Sequence, residues 1–304
     1  MKDLAAALTV MAHIGYDPMD NTTALRPSSS FGIDYSEDVF GGSLRDLRFG
    51  LLEGFFNRTI SNETTPVNAV MDHIVSVLQN AGAIVVPITE SVYNATSIAF
   101  LDVQTSEYRE DVNAYLQMQS LGGSQPSTLN RLYNSGKYLV IPSQYNYVQT
   151  ALISSTSNAS YAPTKLTIQN LTTVLRTTFS SNRLDAIIYP EQKNLVVKIG
   201  SPSQSGRNGI LAALTGSPVV TVPAGFSPST VDAPIGVPIG MEILGRPWSE
   251  SMLINIASHI SSLTHVRRMP AFANMSVEVR SYSSVPTVTP NTGNIPSVYP
   301  IGVC

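Results

Sequence analysis

Apolar positions recur at helical spacing from the first residues. Leu4, Leu8 and Met11 share one face before Gly15 and Asp17-Pro18 stop the pattern, so the chain opens in a helix. The Asn, Thr, Pro and Ser content of 21–30 reads as loop, and across 44–52 Leu47, Phe49 and Leu51 alternate as in a strand. Pro66 then stands in a first helical turn, Val67, Val70, Met71, Ile74, Leu78 and Ala81 form one apolar stripe, and Gly82 supplies the stop. His73 lies off that stripe and reads as solvated. The apolar run 83–88 is a second strand, making 47–88 a strand-helix-strand unit, the local signature of a sheet covered by helices.

The spacing predicts a helix over 107–119, a break across 121–127 at Gly122, Gly123 and Pro126, and a helix over 164–179 along Ile168, Leu171 and Leu175. Three further strands follow: 186–189 closed by Pro190, 219–222 closed by Pro223, and an alternation of Ile239, Met241 and Ile243 ended by Gly245 and Pro247. Ser249 is a good N-cap for a last helix with Leu253, Ile256, Ala257, Ile260 and Leu263 on one face and His259 and His265 on or beyond its margins. The order of elements is that of an α/β protein, with one domain over residues 1–280 and a flexible Pro/Ser/Thr-rich tail over 281–304.

Composition narrows the function classes. The 304 residues are 43% hydrophobic, enough to bury one substantial core. Charged residues make up 13%, about half the roughly 25% usual in globular chains. With a net charge of -3 and no Lys/Arg stripe, the chain lacks the electrostatic footprint of a nucleic-acid binder. No apolar run approaches the ~18 residues that span a bilayer, so no membrane partner is expected, and the chain as written starts without a basic-then-apolar export signal. The single Cys304 excludes an internal disulfide and a cysteine zinc cluster, leaving a free terminal thiol. Asn-x-Ser/Thr sequons stand at Asn21, Asn57, Asn62, Asn94, Asn158, Asn170 and Asn274, each a glycosylation candidate. Together with the low charge they point to secretion of the complete parent protein.

Reaction chemistry is harder to find. Gly41-Gly42-Ser43 and Gly122-Gly123-Ser124 have the look of a nucleophile loop, but neither belongs to a longer Gly/Ser tract and both fall where turns are expected. The five lysines, Lys2, Lys137, Lys165, Lys193 and Lys198, read as solvated charges. His13, His73, His259 and His265 accompany no Gly-x-Ser-x-Gly elbow, no His-x-x-x-His pair marks a metal site, and 200–206 lacks phosphate-loop spacing and its lysine. No catalytic residue, metal ligand or cofactor is assigned.

Three strings in order do carry a resemblance. Leu184-Asp185-Ala186-Ile187-Ile188-Tyr189-Pro190 is followed by Asn208 and by Leu214-Thr215-Gly216-Ser217-Pro218-Val219-Val220-Thr221-Val222-Pro223-Ala224-Gly225-Phe226. Pro234 to Pro247, with Gly240-Met241-Glu242-Ile243-Leu244-Gly245-Arg246, then leads into Ser249-Glu250. This succession resembles the C-terminal part of amidase-signature amide hydrolases, and fainter similarity at 11–24, 44–50, 81–87 and 107–116 extends it to about Pro270. Turn chemistry alone accounts for the glycines and prolines as scaffold: Gly216 and Gly225 are read as needing backbone angles closed to other residues. Arg207 and Asn208, in the polar loop 200–209, are the candidates for facing a substrate pocket, beside the plainer reading of a structural loop.

The resemblance implies a mixed β-sheet flanked by helices, the C-terminal portion of the amidase-signature fold. It also implies a parent activity of carboxamide C–N bond hydrolysis on a small-molecule amide. In that family a signature region with a lysine, a serine in an unusual cis peptide and a nucleophilic serine precedes the Gly-Tyr-Asp-Pro segment, and here it would lie before Met1. The chain alone is therefore expected to be inactive, and a sheet cut through its middle to self-associate through unpaired edges. Two alternatives stand beside this: a non-catalytic remnant that binds a small molecule or protein, and a hydrolase with a relocated serine nucleophile.

Overall fold

Five short runs of β-branched and aromatic residues, each closed by a turn or a helix, meet in one sheet. A computed structural model describes residues 1–268 apart from 14, 17–20, 38, 40, 119–124, 136–143, 199–200 and 202–205. The tail 281–304, Cys304, Asn274, Lys137 and Gly122-Gly123-Ser124 lie outside the described residues. In chain order the elements are α1 (Lys2–Ala12), β1 (Arg48–Leu52), α2 (Thr65–Asn80), β2 (Ile84–Ile88), α3 (Ala95–Ala99), α4 (Gln104–Leu116), α5 (Leu129–Asn134) and α6 (Tyr145–Ile153), followed by α7 (Tyr161–Ser181), β3 (Ala186–Pro190), α8 (Ile210–Thr215), β4 (Val219–Phe226), β5 (Pro238–Leu244) and α9 (Glu250–Thr264).

The sheet order is β2-β1-β3-β5-β4. β2, β1 and β3 run parallel, with Arg48 opposite Ile84 and Gly50 opposite Ile187, whereas β5 is antiparallel to both β3 and β4. The sheet is therefore mixed and flanked by helices, and the 47–88 unit is a parallel β1-α2-β2 crossover. Under it lies one core in which Phe49, Met71, Ile74, Leu78, Ile188, Met241, Ile243 and Ile256 are fully buried. At roughly 1.5–3 kcal/mol per buried side chain, this face is the main stabilising contribution from that stripe of α2.

The elements depart from the sequence pattern where tertiary contacts intervene. Residues 44–47 do not extend β1: Asp46 has a positive φ of 66° and its N–H donates to Gly82 O, so the chain turns there against the end of α2. Pro223 does not end β4, because β4 is an outer strand and needs no donor on its free side; the strand shifts register between Pro223 and Gly225 and continues to Phe226. Gly216, with φ 63°, is the left-handed cap of α8, as its position predicts. Gly225 is different: its φ is not positive, and a Cβ there would meet Val70 Cγ1 at 3.0 Å, so close packing of β4 on α2 demands the glycine. Leu263, read as core, is half exposed at 50%.

The described residues fall into two compact units, 1–100 with 168–268, and 101–167. The first holds the sheet and its core. The second is helical; its buried residues are Leu129, Val148 and Ala151, and partly buried polar groups tie its helices and loops: Glu110 accepts from Ser155 Oγ (2.7 Å) and Thr156 Oγ1 (2.6 Å), Asn113 Oδ1 from Leu129 N–H (2.7 Å), and Arg109 donates to Leu152 O (3.0 Å). No helix among the described residues is long and apolar enough to cross a membrane.

Candidate functional site

Two features of the first unit can do chemistry: a broad surface groove and a buried acidic cluster. The groove, about 1120 Å³, opens between the start of α2 and the end of β4. Ile60, Val70, Leu195, Phe226, Pro228 and Val266 give it an apolar wall, and His73 and Asn62 supply polar groups at its surface. Gly225 lets β4 approach Val70, and Thr64, buried at the N-cap of α2, donates to Thr59 O and fixes the 59–64 turn that forms one rim. The exposed, solvated position read for His73 is thus also a groove position.

The cluster sits where β3 ends. Tyr189 on β3 is opposite Glu242 on β5, and Glu191 follows Pro190, its N–H donating to Gly240 O at 3.0 Å. The chain that leaves Glu191 comes back to pair with it: Lys193 N–H donates to Gly206 O (2.7 Å), Gln192 bridges Arg207, and Asn208 N–H donates to Glu191 O (3.0 Å). Asn208 is 0% exposed, and its Nδ2 donates to both Phe55 O (2.7 Å) and Pro190 O (2.9 Å), locking this loop to the turn after β1. Arg207 is exposed. Neither of the two pocket candidates from the sequence lines the groove: Asn208 is buried and Arg207 is exposed.

The electrostatics are unusual for a strand. Glu242 is 6% exposed, and burial, reinforced by the adjacent Glu191 carboxyl, raises its carboxyl to about 8. Burial and the Glu242 charge push the Tyr189 phenol well above its usual value; the hydroxyl lies beside that carboxyl without meeting the geometry of a full hydrogen bond. Phe55 packs its ring edge-on to Tyr189 at 4.8 Å. Glu191 Oε2, Gln192 Oε1, Asn208 Oδ1 and Glu242 Oε2 are buried without a donor among the described residues. The sequence pattern missed Glu191 and Glu242. For Glu242 the available signal was a carboxylate inside an otherwise apolar strand, and it becomes meaningful once β5 is known to lie between β3 and β4; Glu191, just beyond β3, carried no such signal.

Other reactive side chains have structural duties. Ser43 Oγ accepts from Arg45 N–H (3.0 Å) in a turn where Gly42 has φ 74°. Lys165 pairs with Glu107 and Lys198 with Asp232. Lys193, expected to be solvated, is half-buried, and burial lowers its amine below the usual lysine range. Within the motif strings, Asp185 Oδ2 accepts Arg48 N–H (2.7 Å), while Arg246 donates to Phe179 O (3.0 Å) and Leu184 O (3.2 Å), tying the entry of β3 to the exit of β5.

A mixed α/β sheet with such a groove defines a scaffold for a small-molecule site at strand ends. The amidase family model matches residues 1–254, and the chain belongs to that family. A fatty acid amide hydrolase of Medicago truncatula is 24% identical over 270 residues, covering 85% of this chain and 40% of the relative. A glutamyl-tRNA(Gln) amidotransferase subunit of Neisseria meningitidis is 25% identical over 271 residues, covering 85% of this chain and 52% of its own length. The peptide amidase of Stenotrophomonas maltophilia shares the fold with a TM-score of 0.66 at 23% identity, over 89% of this chain and 53% of that one. The chain thus spans about half the length of these relatives, or less.

Proposed function

We propose that this chain is the substrate-pocket part of an amide hydrolase, with the nucleophile, base and oxyanion donors supplied by a segment outside residues 1–304. The observation that carries this is the pairing of a family match over 1–254 with coverage of only about half of each relative. Amide hydrolysis needs an activated nucleophile beside its base. Ser43 in its turn, and Lys165 and Lys198 in ion pairs, have other duties. The apolar groove suits the acyl or aryl part of a small carboxamide, with His73 at its edge. The complete protein is secreted and carries glycans, which the exposure of Asn57, Asn62, Asn94, Asn158 and Asn170 supports.

The test compares the 304-residue chain with the same chain extended by its in-frame upstream coding sequence. Both are exposed to a serine-reactive fluorophosphonate and to a panel of aliphatic, aryl and peptidyl amides. The extended protein is expected to label and to release amine, and the 304-residue chain to do neither. Stoichiometric labelling of a single serine in the shorter chain overturns the proposal in favour of a relocated nucleophile.

A further inference from the structure

We propose that the small cavity between α7 and the exit of β5 is a binding site for a small carboxylate with an apolar body, such as an aryl carboxylate. The cavity holds about 250 Å³ and lies wholly within the first unit; Leu175, Phe179 and Pro247 line it together with Arg176 and Arg246. Its place in the fold follows from the sequence. Thr172, Leu175, Arg176, Phe179 and Ser180 recur at helical spacing, which puts one face of α7 on the cavity, and Gly245-Arg246-Pro247, where β5 ends, supplies a second side. The cavity is remote from the groove. Ser217, just before β4, borders the cavity and Phe226, at the end of β4, borders the groove, so the length of that strand, about 20–25 Å, separates them.

The positive charge at this cavity has no counterpart, since no Asp or Glu lines it. Arg246 is half-buried, its Nη2 donates to Phe179 O (3.0 Å) and Leu184 O (3.2 Å), and its guanidinium stands over the Phe179 ring, 5.0 Å from the centroid. Those contacts hold the fork in place and leave its Nε and Nη1 without an acceptor among the described residues. Arg176 is exposed and makes no ion pair among the described residues. Thr172 and Ser180 spend their hydroxyl protons on the carbonyls of Ile168 (3.0 Å) and Arg176 (2.9 Å), so recognition of an anion falls to the two guanidinium groups. Two like charges that line one cavity repel, and a single carboxylate offsets both. Guanidinium pairs with a planar carboxylate through parallel N–H···O bonds, the stronger kind of hydrogen bond. The walls then choose among anions: Leu175 and Phe179 are buried and give an apolar contact to a ring or short alkyl body, which an inorganic ion cannot use.

The experiment titrates the full 304-residue chain with sodium benzoate, with benzamide as its uncharged counterpart and with inorganic phosphate, at equal ionic strength and neutral pH. Affinity is read by calorimetry, and the chain's single tryptophan, Trp248, next to Pro247, gives a local fluorescence reading. Benzoate is expected to bind saturably at one site per chain and to change the Trp248 emission, and benzamide and phosphate to bind at least about tenfold more weakly. R176Q removes one guanidinium at an exposed position, so its melting temperature without ligand is expected to match the parent's while its benzoate affinity falls about ten- to a hundredfold. R131Q, at an exposed arginine of the second unit, is expected to keep the parent's affinity. Absence of benzoate binding overturns the proposal, as do unchanged affinity in R176Q, an equal loss in R131Q, and binding of benzamide or phosphate as tight as that of benzoate.

Discussion

Glu242 is a carboxyl buried within a strand, and its titration gives a prediction with a definite sign. Its folded value of about 8 lies above the unfolded 4.5, so its contribution to stability is fully present below about pH 4.5 and is lost as pH rises through about 8. Glu242→Gln keeps the shape and removes the charge, so its urea midpoint is expected to stay level between about pH 5 and 9 while the parent's falls; parallel curves for the two proteins refute the assignment. Asn208 acts through geometry. Asn208→Ala leaves Phe55 O and Pro190 O without their donor and is expected to cost roughly 2–4 kcal/mol in urea unfolding. An exposed loop residue would change the midpoint very little.

Among elements, the contact of β4 with α2 sets the inner wall of the groove. Gly225→Ala places a methyl at 3.0 Å from Val70 Cγ1 and is expected to destabilise by about 1–2 kcal/mol. The double variant with Val70→Ala should recover part of that loss, a coupling readable in a double-mutant cycle; strict additivity would mean that the packing of these two elements is not the cause. Gly216→Ala, by contrast, loses about 1 kcal/mol through its positive φ alone, and no neighbouring truncation rescues it, since nothing lies within 4 Å of its added Cβ. Two glycines that the sequence pattern treats alike are thus kept for different physical reasons.

For the whole molecule, the outer strands are the candidate surfaces for self-association. β2 and β4 flank the sheet, and β2 is an apolar strand whose Ile84 is 43% exposed. The purified chain is expected to sediment as dimers or larger species, and Ile84→Lys, placing a charge on that edge, to shift the distribution toward monomer. A parent chain monomeric across its soluble concentration range removes this prediction. Expression through a eukaryotic secretory pathway should give a product whose mass falls on enzymatic deglycosylation, at sites drawn from the exposed Asn57, Asn62, Asn94, Asn158 and Asn170.

The sequence by itself determined the class and most of the scaffold. The α2 stripe, the short runs at 84–88, 186–190 and 238–244 and the ordered Gly/Pro strings follow from local periodicity and turn chemistry, which neighbours along the chain dictate. They were sufficient to point to the α/β class and the amidase family. The tertiary structure decided what those residues do. That β5 inserts between β3 and β4, burying Glu242 against Tyr189 and beside Glu191, is a matter of sheet order, and no local pattern encodes it. The same holds for Asn208, whose partners at Phe55 and Pro190 are 153 and 18 residues away, and for the groove, which exists only because β4 packs on α2. Periodicity reports which face of an element is apolar; which charged groups share a low-dielectric interior depends on long-range packing, and there the sequence pattern carries no information.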